Sequence, residues 1–589
     1  MSSVAAEKRW LKNYDPHVPP TLEPYPDWSV ADILTRAAES APNTPATITS
    51  AVLPVVGRVG QVMTYAQLKE RADAFGAALY DLGLQKGDRV ALLMPNCPAF
   101  VVAWFGALGA GMIAVGLNPT YPPARLAEMI QDSGCKAIVT LSLFYNAICQ
   151  IRAQTPLQQV IVTNIKEGFP PAAAFLFGLA KEKRGGHRVE IQSGDHALPD
   201  LLKKYAGQQP KIRPTKDDPA IFQYTGGTTG PSKAAVSVHS AVVANTLQQN
   251  AVLVGTEPAA PGVRMLAAIP FYHVFGMISV IATAATSRGT MIIVPNARDI
   301  TDMLDTITKY QPEIFHGVPA LYNGINAHPE VASGKYNVSS IKHCLSGSAP
   351  LPRPTKDTFE KLTGGKLTEG YGMSEAPTAT HVNPLQSGGK VGSVGLPLPD
   401  TISKIVDAGD PNRELTVGEI GEIAISGPQL MSHYHERPTE TQNVIVKDET
   451  GRRWLLTGDL GYMDEDGYFY IVDRKKDMAL IGGFNVYPNQ VDQVLNAHPA
   501  VAEVAVGIIP HPEKVGQEAL KAWVVVKPGM SLTQEELMEF AAQKLARYEI
   551  PSRYEFLDAL PRTAVGKILR RELVQQEIAR MEKLAQEKS

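Results

Sequence analysis

Between Thr225 and Lys233 the chain reads TGGTTGPSK, a run whose residue types suit one task. Gly226, Gly227 and Gly230 let a backbone approach an anion closely and adopt dihedrals that other residues avoid. Thr225, Thr228 and Thr229 supply hydroxyl donors and Lys233 a positive charge, which together meet the needs of a polyphosphate. The GK pair and the strand-to-helix setting of the common P-loop are absent. Instead Pro219 to Tyr224 reads as a strand, Ala234, Val236 and Val238 alternate as a second, and a helix is expected from about Ser240. The run is therefore the tip of a hairpin. By itself it is equally compatible with a ligand-free turn, so its meaning depends on what the fold brings to it.

Positioning such a tip needs a framework. From about Trp28 to Val472, helix-like runs such as LKERADAFGAALYDLG alternate with short apolar strands such as RVALLM and KAIVTL, the pattern of layered α/β architecture. Gly467 to Asp477, GYFYIVDRKKD, ends a strand in a dense charged cluster, after which GGFNVYPNQVDQVLNAHP opens a new series. The expected organisation is a tail over 1–27, a large multi-layered α/β domain over 28–475 and a small mobile C-terminal α+β domain over 476–589. The small domain would hold the strands VAEVAVGII and KAWVVV and the helix TQEELMEFAAQKLA. A charged junction between two domains suits a hinge.

At 589 residues the chain is too long for one ordinary core. Its 56 Lys and Arg against 59 Asp and Glu, a net charge of -3, create no overall field toward nucleic acid or anionic lipid. A nucleic-acid partner is not expected, and any membrane contact must be local. Cys97, Cys135, Cys149 and Cys344 lack the paired spacing of a zinc or redox motif and read as reduced, mostly buried thiols of a cytosolic protein. Neither the opening MSSVAAEKRWLKNYDP nor the closing AQEKS carries an export, peroxisomal or lipidation pattern.

Ala99 to Leu117, nineteen residues without a charge, is broken by Gly106, Gly109, Gly111 and Gly116. It reads as a buried helix turning into a buried strand rather than as a membrane span. FPPAAAFLFGLAKEKR, from Phe169, is too short to span and joins an apolar patch to a basic cluster, as a segment at the inner face of a membrane would. A loop folded onto the core fits the same composition.

Further segments follow the loop in order: PFYHVFGM at Pro270, GSAPL at Gly347, EGYGMSEA at Glu369, WLLTGDLGYMDEDGYFYIVDRKKDMALIGGFNVYP at Trp454 and LPRTAVGKILRREL at Leu560. Together they resemble the adenylate-forming superfamily, which includes acyl-CoA synthetases, luciferases and peptide-synthetase adenylation domains. The likeness runs over nearly the whole chain after Trp28. It implies two half-reactions: a carboxylic acid and MgATP give an acyl-adenylate and pyrophosphate, then the small domain rotates and a thiol, usually that of coenzyme A, displaces AMP.

Carried over residue by residue, the resemblance assigns Glu375 to Mg²⁺, assisted by Thr228, a hard oxygen set suited to a metal on ATP. It places the Tyr371 ring on adenine, within a nucleotide-binding stretch that includes Gly372 and Ser374, and makes Gly347, Ser348 and Ala349 a narrow backbone wall for the base. Asp459 would accept the ribose hydroxyls and Arg474 would be a second nucleotide contact. Lys233 and the loop threonines would hold the leaving pyrophosphate. Lys567 would bridge the attacking carboxylate and the α-phosphate. His273 would stand beside the phosphate or acyl entrance, Lys476 would be the hinge, and Gly482 and Gly483 would turn toward the pantetheine channel. Each has a plainer reading alone: a solvated Glu375, a core His273, a solvated basic face at Lys567.

Departures from the resemblance are few. Ser374 stands where Thr is usual, Ala234 where Gly often follows the loop lysine, and Gln490 where Glu is frequent. The form TGPSK, the tract GVPALYNGI at Gly317 and the insertion at Phe169 are most similar to bacterial long-chain fatty acyl-CoA synthetases. That implies a fatty acid, ATP and coenzyme A as substrates, with a pocket near Val318, Ala320, Gly347 and Ser348. Other readings stay open here: an aryl or medium-chain acid–CoA ligase, an acyl-AMP ligase loading a carrier protein, and a non-catalytic nucleotide-binding sensor. So does the choice between monomer and homodimer.

Overall fold

The computed structural model describes residues 7–53, 57–225, 232–255, 263–481, 484–511, 517–562 and 568–588. They form two compact units that do not follow a single cut in the chain. The larger is Trp10–Ile402 with Ser426–Leu455, and the smaller is built mainly from Ser403–Ile425 and Leu456–Ser589.

The larger unit holds two mainly parallel sheets. In the eight-stranded sheet, Pro219–Tyr224, Ile113–Gly116, Arg89–Leu93, Cys135–Leu141 and Gln159–Thr163 lie side by side in parallel, and Ala234–Val238 returns antiparallel along Pro219–Tyr224. In the nine-stranded sheet, Pro45–Leu53, Thr290–Ile293, Arg264–Ala267, Ile314–Gly317, His343–Ser346 and Lys366–Met373 are parallel neighbours. The next strand, Ala376–Val382, is antiparallel. Parallel strands covered on both faces need near-continuous apolar sequence, which is why RVALL and KAIVTL carry so few polar residues.

The charge-free stretch becomes the helix Pro98–Gly109 and the strand Ile113–Gly116, almost wholly buried. Against it packs Tyr65–Asp81, whose start is fixed by a reciprocal cap: Thr64 Oγ1 accepts from the Gln67 amide at 3.3 Å while Gln67 Oε1 accepts from the Thr64 amide at 3.0 Å. The two helices approach so closely that a Cβ on Gly106 would lie 2.5 Å from the Ala72 carbonyl oxygen. Among the described residues no helix is long and apolar enough to cross a membrane. The Phe169 segment is not a loop but contains the helix Pro171–Ala180, begun by the proline pair at its N-terminus. All four cysteines are free, and burial pushes the Cys97 and Cys135 thiols up to about 12.

In the smaller unit Ile402–Val406, Gly421–Ser426, Arg453–Met463 and Phe469–Arg474 are sheet neighbours. Further on, Val501–Pro510 pairs antiparallel with Glu518–Val526, which runs parallel to Arg553–Phe556. Side chains alternate across this second sheet. Val504, Val506, Leu520 and Ala522 meet Val491, Leu495 and Leu537 of the helices Pro488–Asn496 and Gln534–Ala542. On the other face Ala505, Ala519 and Trp523 meet Leu573 of Arg570–Lys588. Lys521 points the same way and is buried against Glu577, Nζ to Oε2 at 2.8 Å.

Candidate active site

Three parallel strands of the larger unit end together. Gly317 pairs with Ser346 and Ser346 with Glu369, so the segments after them emerge on one rim. The Gly347 amide donates to the Gly317 carbonyl at 3.2 Å, and a Cβ on Gly347 would stand 3.3 Å from the Phe275 ring and 3.9 Å from the Gly370 carbonyl oxygen. The turn Gly347–Ser348–Ala349, with Ser348 at φ 68°, thus lies beside the strand that carries Tyr371. Ligands of open α/β sheets sit outside the carboxyl ends of strands, where the strand order or direction changes. Here the change is from Lys366–Met373 to its antiparallel neighbour.

Half-buried Tyr371 pairs with His381 across that change, their ring centroids 5.7 Å apart. Gly372 admits no side chain, because a Cβ would fall 1.6 Å from the Thr378 carbonyl oxygen. Ser374 is in the following turn. His273 follows the adjacent strand Arg264–Ala267, and its Nδ1 accepts from the Phe275 amide at 3.2 Å. Burial lowers its pKa to about 4, so the ring is neutral at physiological pH. With Nδ1 an acceptor, the ring proton belongs on Nε2, which is then a donor.

The hairpin below the glycine-rich tip is closed by the Tyr224–Ala234 pair and by the Thr225 amide donating to the Lys233 carbonyl at 2.9 Å. Gly226, Gly227, Thr228, Thr229 and Gly230 lie outside the described residues. The Tyr224 hydroxyl anchors the entering strand on Asp132 Oδ2 at 2.8 Å and the Met129 carbonyl at 2.9 Å. The leaving strand receives the two-residue strand His433–Tyr434, with Tyr434 opposite Ala235.

That pairing puts Tyr434 between two sequence-predicted residues. Lys233 Nζ is 5.4 Å from its ring centroid, within cation–π reach, and its hydroxyl donates to Glu375 Oε1 at 2.7 Å. The Met431 amide holds the Glu375 backbone carbonyl at 2.8 Å. Burial and the Glu375 charge keep the Tyr434 hydroxyl well above the usual phenol range, so it stays a donor. Among the described residues nothing donates to the second Glu375 oxygen, and no cluster of three or more His, Cys, Asp or Glu could cage a metal. A single open carboxylate fits Mg²⁺ carried on nucleotide phosphates rather than an all-protein site.

In the smaller unit Asp459 and Arg474 are cross-strand partners joined Oδ1 to Nε at 2.7 Å, with Asp459 buried. Glu422, which the sequence did not single out, ties the TGD turn to the charged junction. It accepts from the Gly458 amide at 2.9 Å and from Lys475 Nζ at 2.9 Å. Lys476 is exposed at its surface, and partial desolvation of its ammonium lowers its pKa.

Gly482, Gly483 and Lys567 lie outside the described residues. The segment carrying Lys567 is closed at its base by an Arg562–Ile568 bridge and by the Leu569 amide on the Pro561 carbonyl at 2.8 Å. Arg570 then bonds Asp492 and Asn489 Oδ1, the latter at 2.5 Å, and lies 4.0 Å from Asp473. Burial pushes both Asp473 and Asp492 up to about 6 against the pull of Arg570.

The AMP-binding enzyme family matches residues 34–435, and the C-terminal domain of AMP-binding enzymes matches residues 490–567. A long-chain-fatty-acid–CoA ligase of Bacillus subtilis (strain 168) is 38% identical over 578 residues, 98% of this chain and 99% of that protein. One of Escherichia coli O157:H7 is 37% identical over 572 residues, 96% of this chain and 98% of that protein. Among solved structures, ATP-bound MatB from Rhodopseudomonas palustris has a TM-score of 0.78 at 27% identity, covering 93% of this chain and 98% of that one. These matches and the geometry at Glu375 agree with the resemblance drawn from the motifs: the chain belongs to the AMP-binding enzyme family.

Proposed function

We propose that the chain is a long-chain fatty acid–CoA ligase. The observation that carries the reading is the joining of Lys233 and Glu375 through Tyr434 at the exit of a phosphate-suited hairpin. The chain is alike to such ligases over almost its whole length.

A fatty acid carboxylate oxygen attacks the α-phosphorus of ATP, and the bond to pyrophosphate breaks. The sulfur of coenzyme A then attacks the acyl carbon, its proton passes to solvent, and AMP leaves. Lys233 and the loop threonines hold the departing pyrophosphate. Glu375 and Thr228 would hold Mg²⁺, which would supply positive charge to the phosphates. Tyr371 and the wall Gly347–Ala349 receive adenine, Asp459 the ribose hydroxyls, and Arg474 orients Asp459. The uncharged His273 presents Nε2–H at the entrance without adding charge to the acyl path.

Lys567 offsets the repulsion between carboxylate and α-phosphate. Opposite charges about 4 Å apart near a surface gain roughly 4 kcal/mol at an effective dielectric of 20. In this reading the segment after 475 pivots at Lys476 between half-reactions and turns Gly482 and Gly483 toward the pantetheine arm.

The test is pyrophosphate release with ATP and coenzyme A over saturated acids of increasing length and a set of aryl acids. Turnover should rise toward long chains. Turnover of aryl or short acids alone would remove the long-chain assignment and keep adenylation, and silence with every acid would support the nucleotide-sensor reading.

A further inference from the structure

From Trp10 to Asp27 the chain is strapped along the larger unit, ahead of residue 34, where the match to the AMP-binding enzyme family begins. The strap holds five prolines, Pro16, Pro19, Pro20, Pro24 and Pro26, which fix φ and leave an extended chain less entropy to lose on docking. Trp10, buried, anchors one end. Buried Asp15 accepts from the Gln386 amide at 2.9 Å and from the Ser387 amide at 3.1 Å. His17 Nε2 donates to the Val252 carbonyl at 3.0 Å. The Leu22 amide and the Tyr25 hydroxyl both donate to Asp400 Oδ2 at 2.8 Å. The strap therefore grips the segment from Gln386 to Asp400 at both ends.

Between those grips lies the contact that reaches the site. The Tyr14 hydroxyl donates to the Pro397 carbonyl at 2.5 Å. Pro397 belongs to Leu396–Pro397, the end strand of the nine-stranded sheet, and pairs with His381, which in turn pairs with Tyr371. Pro397, His381 and Tyr371 thus stand in one line across three strands, with Tyr14 holding its outer end. The line is stiff: His381 is buried, its ring centroid is 5.7 Å from that of Tyr371, and the Thr380 hydroxyl donates to the Tyr371 carbonyl at 3.2 Å. A two-residue strand at a sheet edge makes few bonds of its own, and its proline gives no N–H to the ladder, so an outside clamp sets its position. Burial and the Asp400 charge keep the Tyr14 hydroxyl well above the usual phenol range, so it stays a donor.

We propose that Tyr14 is a positioning residue of the nucleotide site: through Pro397 and His381 it sets where the Tyr371 ring meets adenine, so the N-terminal strap tunes the affinity for ATP. The inference rests on the reading of Tyr371 as the adenine contact. Tyr25 is the internal contrast, because it clamps the same segment at Asp400, off that line. A strap that only held the fold together would let the two tyrosines act alike.

The experiment measures the dissociation constants of ATP and AMP on the full chain by calorimetry. Tyr14→Phe should raise both by about two- to tenfold, the contribution of one neutral hydrogen bond. Tyr25→Phe should leave both near wild type, with a fall in melting temperature at least as large. In a Tyr371→Ala background Tyr14→Phe should add no further loss, because the line it acts through is already cut. The KM for ATP should rise with the dissociation constant while kcat and the KM for the fatty acid hold. Wild-type affinity in Tyr14→Phe, equal weakening in Tyr25→Phe, or the full Tyr14→Phe effect persisting without the Tyr371 ring overturns the proposal alone. Wild-type affinity in Tyr371→Ala removes the adenine reading of that ring and the proposal together. A loss of ATP affinity in Tyr14→Phe, from a protein that turns over no acid, would support the proposal and remove the ligase assignment.

Discussion

The Tyr434 hydroxyl reaches Glu375 Oε1 over 2.7 Å although 59 residues separate the two. Tyr434 holds one carboxylate oxygen, and among the described residues nothing donates to the other, so the carboxylate has a fixed aim. Lys233 over the same ring makes Tyr434 the common support of both side chains. Tyr434→Phe keeps the ring and removes only the donor. A hydrogen bond to a charged group contributes about 1.5–3 kcal/mol. We therefore expect pyrophosphate release to slow by about ten- to a hundredfold, with half-maximal rate needing more Mg²⁺ and the melting temperature little changed. An unaltered Mg²⁺ dependence would mean that Tyr434 is only a packing residue.

A second expectation concerns acid. His316 is fully buried, neither ring nitrogen has a hydrogen-bond partner among the described residues, and burial lowers its pKa to about 4. Between the ordinary 6.5 and 4 the unfolded chain binds the proton and the folded chain does not, so stability falls as pH drops through that window. One group shifted this far accounts for roughly 3 kcal/mol. His316→Leu should leave stability at neutral pH similar or higher and flatten its loss on acidification, read by urea denaturation across the window. A wild-type slope in the variant would assign the acid sensitivity to the other buried histidines.

Much of this was legible in the sequence, for reasons that also explain the rest. Strands Pro219–Tyr224 and Ala234–Val238 were readable because alternation and turn chemistry are local signals, and the helix after them starts at His239, one residue from expectation. Asp459 and Arg474 were readable as motif residues, and the structure adds that they are cross-strand partners. Tyr434 was not, because its strand is two residues long and exists only where it meets Ala234–Val238. Glu422 acts through a turn 36 residues away. The grouping of Ser403–Ile425 with the C-terminal segment rests on sheet pairing, which no local composition records. The exposed face of Pro171–Ala180 was legible as apolar, but which side would be left uncovered depended on the packing of Phe177.

A third expectation follows from Arg570. It stands among Asp473, Asn489 and Asp492, three residues past Lys567. Both carboxyls already have folded pKa values of about 6, above the ordinary 3.8, so they lower stability as pH rises through that interval. Removing the cation in Arg570→Ala should extend the interval to higher pH and cost about 3–5 kcal/mol near neutrality, the usual penalty for orphaning a buried charge. The loss should shrink below about pH 4, where both acids are protonated. Arg570→Lys should recover only part, because an ammonium lacks the planar fork that serves two acceptors at once. Faster amide exchange in Arg570–Lys588 reports the change directly, and exchange that stays at wild-type rates at neutral pH would contradict it.

The last expectation separates the two half-reactions. If Lys567 acts only where carboxylate and α-phosphate are forced together, its charge is needed for adenylation and idle when the thiol attacks. A gain of roughly 4 kcal/mol from one such contact corresponds to a rate loss of about a thousandfold in Lys567→Ala. Thioester formation from supplied acyl-adenylate should meanwhile stay within severalfold of wild type. Acylation of the amine should mimic the substitution, since it removes the same charge. The two assays share enzyme, coenzyme A and acyl group, so misfolding would depress both together, whereas a lysine used in one conformation depresses one. Equal losses would show that Lys567 serves both steps, and rotation about Lys476 would then have no catalytic group to exchange.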